Sequence, residues 1–198
     1  LAEFEQNLAD YLDIKHVVGV ADGTNAIKLS LMAAGVGQDD EVIVPSHTYV
    51  ASAAAIHYVQ ARPVFVECGA DHMIDETSIE TAITSKTKAI MPVQLNGRTS
   101  RMDVICKIAE DHGLQIIEDS AQALGSKFRG ISAGGFGAAG TSSFYPAKLL
   151  GCFGDGGAVL TNRDDIAEKV KLLRDHGRDE NGEVVAWGTN SRLDNMQA

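Results

Sequence analysis

His16-Val17-Val18-Gly19-Val20, then Asp22-Gly23-Thr24-Asn25 opening a run that ends near Gly35, then Glu41-Val42-Ile43-Val44-Pro45: residues 16–45 read as strand, capped helix, strand. The two outer runs are short, continuous and rich in Val and Ile, the mark of strands buried on both faces rather than one. Asp22 stands where a helix N-cap belongs, and Gly35 where a helix stops. Working outward, Leu1, Phe4, Leu8, Tyr11 and Leu12 fall at helical spacing before the first strand, and Thr48 to Val59 is Ala-rich and helical after the second. The alternation continues, with strands expected at 62–68, 88–95, 114–119, 139–145 and 156–162, and helices at about 75–83, 103–112 and 164–176. Alternating strands and helices with buried strands imply an α/β layered fold around a mostly parallel sheet. Residues 125–140 interrupt the pattern, and their six glycines predict a loop whose backbone another group approaches closely.

Composition narrows the function classes. Among 198 residues, 44% are hydrophobic and 22% charged, enough apolar matter for a sizeable core. Lys plus Arg number 17 against 27 Asp plus Glu, and the net charge of −10 disfavours nucleic acid and anionic membranes as partners. No window approaches the roughly twenty apolar residues of a spanning helix. Cys68, Cys106 and Cys152 are odd in number and widely spaced, which argues against a disulfide framework or a zinc site and makes a reducing cytoplasm the expected location. The six histidines, His16, His47, His57, His72, His112 and His176, lack metal-ligand spacing, so packing or surface roles are expected for each and no metal is indicated. The start at Leu1 and the close on Asn195-Met196-Gln197-Ala198, read as a helix start without a stop, suggest a piece of a longer protein.

In open α/β sheets ligands gather at the carboxyl ends of the strands, and that rule selects three segments. Asp22-Gly23-Thr24-Asn25 follows a strand and opens a helix, where free N–H groups and the helix dipole favour a phosphate; an ordinary N-cap is the competing reading. No G-x-G-x-x-G or P-loop pattern is present. Ile116-Ile117-Glu118-Asp119-Ser120-Ala121-Gln122 ends an apolar strand in two carboxylates, one of them expected to face inward and meet a cation such as a protonated ring nitrogen; the alternative is a helix-capping Asp119 with Glu118 solvated. Ser143-Phe144-Tyr145-Pro146-Ala147-Lys148 places a lone Lys among apolar and Gly neighbours, either a nucleophilic amine able to form a Schiff base or a side chain that snorkels to water.

A phosphate-ready helix start, a strand-end Asp and a later Lys, in that order, are the parts a pyridoxal 5'-phosphate site requires. The sequence resembles the DegT/DnrJ/EryC1/StrS sugar aminotransferases, within the aspartate-aminotransferase fold type of pyridoxal-phosphate enzymes. The matching segments are Gly23-Thr24-Asn25-Ala26, Val44-Pro45-x-x-Thr48-Tyr49, Glu118-Asp119-Ser120-Ala121-Gln122-Ala123, Ser143-Phe144-x-Pro146-x-Lys148, Gly154-Asp155-Gly156-Gly157 and Gly188-Thr189-Asn190-x-Arg192. The resemblance implies a three-layer αβα sandwich with a roughly seven-stranded sheet. Residues 1–198 would be the cofactor-binding large domain, incomplete at both ends and without the small C-terminal domain.

The resemblance also implies roles. Lys148 would carry the cofactor and then act as general acid/base. Asp119 would keep the pyridine nitrogen protonated, and Gln122 would hydrogen-bond the phenolic oxygen. Tyr49 would stack on the ring, with a plain core role as its alternative. Gly23, Thr24, Asn25 and Ser143 would hold the phosphate, and Asn190 would reach it from the neighbouring subunit of a homodimer with shared sites. The implied reaction moves an amino group from an amino acid, glutamate being the expected donor, to a nucleotide-linked keto-sugar. Departures lie at Leu149, where the family often has Asn, and Tyr145, where it frequently has His; Tyr145-Pro146 resembles members that aminate a C3 keto group. Dehydratase relatives carry His in place of the Lys, so Lys148 favours transamination over dehydration. The intact Lys148, Asp119 and Gln122 set favours it over a regulatory member without turnover.

Overall fold

Seven strands of the computed structural model, which describes residues 1–198, form one sheet. They are β1 (His16–Val20), β2 (Glu41–Pro45), β3 (Arg62–Val66), β4 (Thr87–Ile90), β5 (Gln115–Asp119), β8 (Ala139–Ser143) and β9 (Gly157–Thr161), ordered β1-β9-β8-β5-β4-β2-β3. Between β5 and β8 a small antiparallel hairpin, β6 (Lys127–Phe128) and β7 (Ile131–Ser132), occupies part of the glycine-rich stretch expected to be loop. The block β3, β2, β4, β5, β8 is parallel throughout. β9 runs antiparallel to both β8 and β1. The reason is local: no helix lies between β8 and β9 to return the chain to the starting edge, so the second strand comes back beside the first.

Helices cover both faces. α2 (Gly23–Ala33), α3 (Val50–Tyr58) and α6 (Asp164–Arg174) share one core with Val42, Val44, Ile117 and Val159. On the opposite face Ile43, Ile90 and Ile116 pack with α4 (Glu76–Ala82) and α5 (Met102–His112), while α1 (Ala2–Leu12) packs with Val17, Ala158 and Leu160. Successive residues of a strand point to opposite faces, so a run such as Val42-Ile43-Val44 must be apolar at every position to feed both cores. None of the helices is long and apolar enough to cross a membrane.

The sequence pattern placed each of these seven strands and six helices, with bounds that shift by a residue or two except at β4. There the expected strand 88–95 stops at Ile90. Pro92 has no N–H to offer a ladder, and past it the chain turns through a single 3-10 turn, Leu95–Gly97, with Asn96 at φ 53°. The expectation of strands buried on both faces fails at β3, an edge strand in which Arg62 and Phe65 are exposed and Pro63 sits where a ladder donor is least needed.

Candidate active site

Strand alternation separates the two acidic neighbours at the end of β5. Asp119 follows Ile117 onto the α2/α3 face, and Glu118 follows Ile116 onto the other. Both are buried, so the reading that left Glu118 in solvent is corrected. Glu118 accepts the N–H groups of Gly134 (2.9 Å) and Phe136 (2.8 Å) and the side-chain amide of Gln94 (2.8 Å). It is one of the groups that approach the glycine-rich backbone, with the Ile116 carbonyl against Gly137 another. Gln94 in turn accepts the N–H of Ser100 through Oε1, so this carboxylate knits two loops beneath the sheet end.

Burial pushes the Glu118 carboxyl above its ordinary value of 4.5, against the pull of the Gly134, Phe136, Gln94 and Gly137 donors. The folded state therefore holds this proton more tightly than the unfolded chain does. Its contribution to stability is fully present below the unfolded value and is lost as pH rises through the folded one. Denaturant unfolding of the parent and of Glu118→Gln, compared from about pH 4 to about pH 7, is expected to show the parent losing stability relative to the variant as pH rises. A constant difference across that range would contradict the assignment.

On the other face, Asp119 opens onto a cavity of about 720 Å³ at the carboxyl ends of the parallel strands. The N-terminus of α2 forms one wall. Asp22 caps it, accepting the Asn25 N–H at 2.8 Å and the Asn25 side-chain amide at 2.6 Å, so the N-cap reading is correct for Asp22. The N–H groups of Gly23 and Thr24, in the first turn, have no carbonyl one turn back to bond, and both residues line the cavity.

Two glycines let this helix end sit against the sheet. A Cβ on Gly157, at the start of β9, would lie 2.5 Å from the Asp22 carbonyl carbon, and one on Gly23 would lie 2.8 Å from the Ser143 Cβ. These approaches bring the Ser143 hydroxyl beside the free N–H groups. Gly157→Ala, which forces backbone apart from backbone, is expected to destabilise the fold by about 1–3 kcal/mol in denaturant unfolding. An unchanged midpoint would mean that the helix end yields freely.

Tyr49 and Thr48, just past β2, form the facing wall. Tyr49 is 70% exposed, which removes its reading as core. Gln122 contributes an oriented amide: its Oε1 accepts the Asn96 N–H at 3.1 Å, so its NH₂ is the end left free to donate. Lys148 lies in the loop between β8 and β9, half-buried and lining the same cavity, and its ammonium joins none of the chain's ion pairs. Asp155, from the same loop, lines the cavity as well.

Of the residues selected from sequence, Gly23, Thr24, Asn25, Tyr49, Asp119, Gln122, Ser143 and Lys148 meet around this one space. Asn190 does not. It is exposed, bridged to Asp175 near the end of α6. His47 packs its ring 5.7 Å from that of His72 and does not line the cavity. Sequence reasoning passed over Ser52, which donates to Asp119 at 2.6 Å, and Asn96, which aims Gln122. The i, i+4 spacing of Thr48 and Ser52 was the available signal for the first; the second has none.

A family model for the DegT/DnrJ/EryC1/StrS aminotransferase family matches residues 1–198. The chain belongs to that family. Its relatives in the DegT/DnrJ/EryC1/StrS family include the dTDP-3-amino-3,4,6-trideoxy-alpha-D-glucose transaminase of Streptomyces venezuelae, 47% identical over 199 residues, covering 100% of this chain and 52% of that protein. The crystal structure of S. venezuelae DesV in complex with a ketimine intermediate superposes with a TM-score of 0.96 at 47% identity, over 100% of this chain and 53% of that one. The structure of NtdA from Bacillus subtilis with bound cofactor PMP gives a TM-score of 0.93 at 35% identity, over 99% of this chain and 45% of that one. The chain spans about half the length of the curated DegT/DnrJ/EryC1/StrS relatives it matches. Family membership and such cofactor-bound relatives imply dependence on pyridoxal phosphate.

Proposed function

We propose that the full-length protein is a pyridoxal-phosphate-dependent aminotransferase that passes an amino group from an amino acid, glutamate as the expected donor, to a nucleotide-linked keto-sugar in amino-sugar or polysaccharide biosynthesis. Residues 1–198 then form its cofactor-binding large domain. The observation that carries the reading is the convergence of Lys148, Asp119 and the α2 N-terminus on one cavity, since these three come from distant parts of the chain. The donor set fits the group: an amine without an ion-pair partner, a buried carboxylate on the same cavity, and backbone N–H groups beside a hydroxyl.

When bound, pyridoxal phosphate supplies an aldehyde that condenses with amines and a protonated ring that accepts the electrons left on an amino acid's α-carbon. The residues of this chain do the rest. Lys148 would anchor the cofactor through Nζ and, with that amine free, would move the proton at the donor's α-carbon. Asp119 would accept the ring nitrogen's hydrogen and keep it in place. The free NH₂ of Gln122 would donate to the phenolic oxygen, and Tyr49 would pack against the ring. Gly23 and Thr24 N–H groups, the Asn25 side chain and the Ser143 hydroxyl bind the phosphate, in the field of the helix dipole.

Asn190 completes the phosphate site across a homodimer interface. Its exposure outside the cavity supports this, as does its neighbour Trp187, 94% exposed. Tyr145-Pro146 and the 47% identity to a 3-amino-sugar transaminase support a C3 keto-sugar as acceptor. The free thiols of Cys68, Cys106 and Cys152 support a cytoplasmic setting. The test is incubation of the full-length protein with pyridoxal phosphate, glutamate and dTDP- or UDP-linked 3-keto-sugars. Mass spectrometry is expected to find the aminated sugar together with 2-oxoglutarate. Cofactor attachment without transfer to any 3-keto or 4-keto acceptor would reduce the protein to a binder.

A further inference from the structure

We infer that Ser52, supported by Thr48, is the positioning residue that holds Asp119 in place toward the cofactor ring. The inference rests on the cofactor reading above. Asp119 Oδ2 accepts the Ser52 hydroxyl at 2.6 Å, whereas Oδ1 takes only the long 3.2 Å contact from the Ala121 N–H. The firm bond is thus to Oδ2 alone, and each oxygen keeps a lone pair with which to accept a further hydrogen.

Proton counting fixes the direction of the chain behind it. A hydroxyl has a single proton to give, and an ionised carboxylate only accepts, so the Ser52 proton goes to Asp119. Thr48 Oγ1 lies 2.7 Å from Ser52 Oγ and must therefore be the donor of that bond. The sequence Thr48 to Ser52 to Asp119 is a directed relay in which each donor polarises the next. Ser52 is fully buried in the first turn of α3, where no water replaces its bond. Removing it leaves Oδ2 without a strong partner and frees a carboxylate torsion that is otherwise soft.

The relay also ties two walls together. Thr48 lines the cavity and is followed at once by Tyr49, the residue proposed to lie on the ring face. One hydrogen-bonded unit therefore sets both the edge contact of Asp119 and the start of the segment that carries Tyr49. A helix-end hydroxyl with only a structural duty would have no reason to influence the electronic state of a ring in the cavity.

The experiment uses the full-length protein and pyridoxal phosphate itself as probe. The pH dependence of the bound cofactor's visible absorption and the cofactor dissociation constant are measured for the parent, Ser52→Ala, Ser52→Thr and Thr48→Val. Ser52→Ala is expected to move the midpoint by about one pH unit and to weaken cofactor binding by about 3- to 10-fold, the scale of one charge-assisted hydrogen bond. Ser52→Thr, which keeps the hydroxyl, is expected to restore both, and Thr48→Val to move both the same way by less. Heat unfolding of the cofactor-free proteins checks that each variant folds. Parent-like titration and affinity in Ser52→Ala overturn the inference, as does a Ser52→Thr that folds like the parent yet behaves like Ser52→Ala. Absence of any visible band in the parent overturns the cofactor reading itself, a result distinct from either.

Discussion

Replacing Lys148 by alanine is expected to lower the rate of amine transfer by at least about 1,000-fold and to abolish the visible band that forms on adding pyridoxal phosphate. The loop that carries Lys148 is tightly closed. Its N–H bonds the Tyr145 carbonyl at 2.8 Å, and a Cβ on Gly151 would lie 2.6 Å from the Pro146 carbonyl oxygen. The amine is thus delivered into the cavity by a fixed backbone, and no other lysine lines that space. Its ammonium joins no ion pair, so its loss removes reactivity without opening a buried charge, and unfolding stability is expected to change by less than about 0.5 kcal/mol. The α2 N-terminus and Ser143 remain to hold the phosphate, so the variant should still bind cofactor, but releasably. Borohydride treatment followed by mass spectrometry reads the outcome: a cofactor adduct in the parent and none in Lys148→Ala. An adduct that persists in the variant would place the anchor on another lysine and end the proposal.

Asp119→Asn should lower kcat by about 100- to 1,000-fold while changing cofactor affinity by less than about 10-fold. The substitution is nearly isosteric, and the amide oxygen can still take the Ser52 proton, so the packing on the α3 face survives. What is lost is the negative charge proposed to keep the ring nitrogen protonated. That charge matters most when electrons flow into the ring, hence the larger effect on turnover than on binding. Steady-state kinetics together with a cofactor titration separate the two. A variant with parent-like kcat would show that Asp119 does not face the ring nitrogen.

The two carboxylates at 118 and 119 illustrate how far local reading reaches. Their place at a strand end, and hence at the ligand edge, was legible because apolar runs and caps are properties of neighbouring residues. Asp119 and Lys148 stood out for the same reason, as polar residues where the local pattern is apolar or glycine-rich. What Glu118 would meet was not legible. Its partners come from Gln94 and from residues 134–137, and no periodicity relates those positions to residue 118. For Ser52 the i, i+4 spacing from Thr48 was the one local signal, and its bond to Asp119, 67 positions along the chain, was not legible.

By itself the chain of amino acids determined the order and approximate bounds of the strands and helices of the main layers, β4 excepted, that the layers are α/β, and which polar residues stand at the ligand edge. These follow from short-range rules: side-chain period, capping and the turn residues between elements. Tertiary structure alone decided that β9 inserts between β8 and β1, that β3 is an exposed edge, and that the helix at Gly23 closes against Ser143 and Gly157. It also decided which oxygen of Asp119 takes the Ser52 hydroxyl and which end of Gln122 is free. Such facts are distances between residues far apart in the chain, set by the joint packing of two cores on one twisted sheet, and no window of sequence contains them.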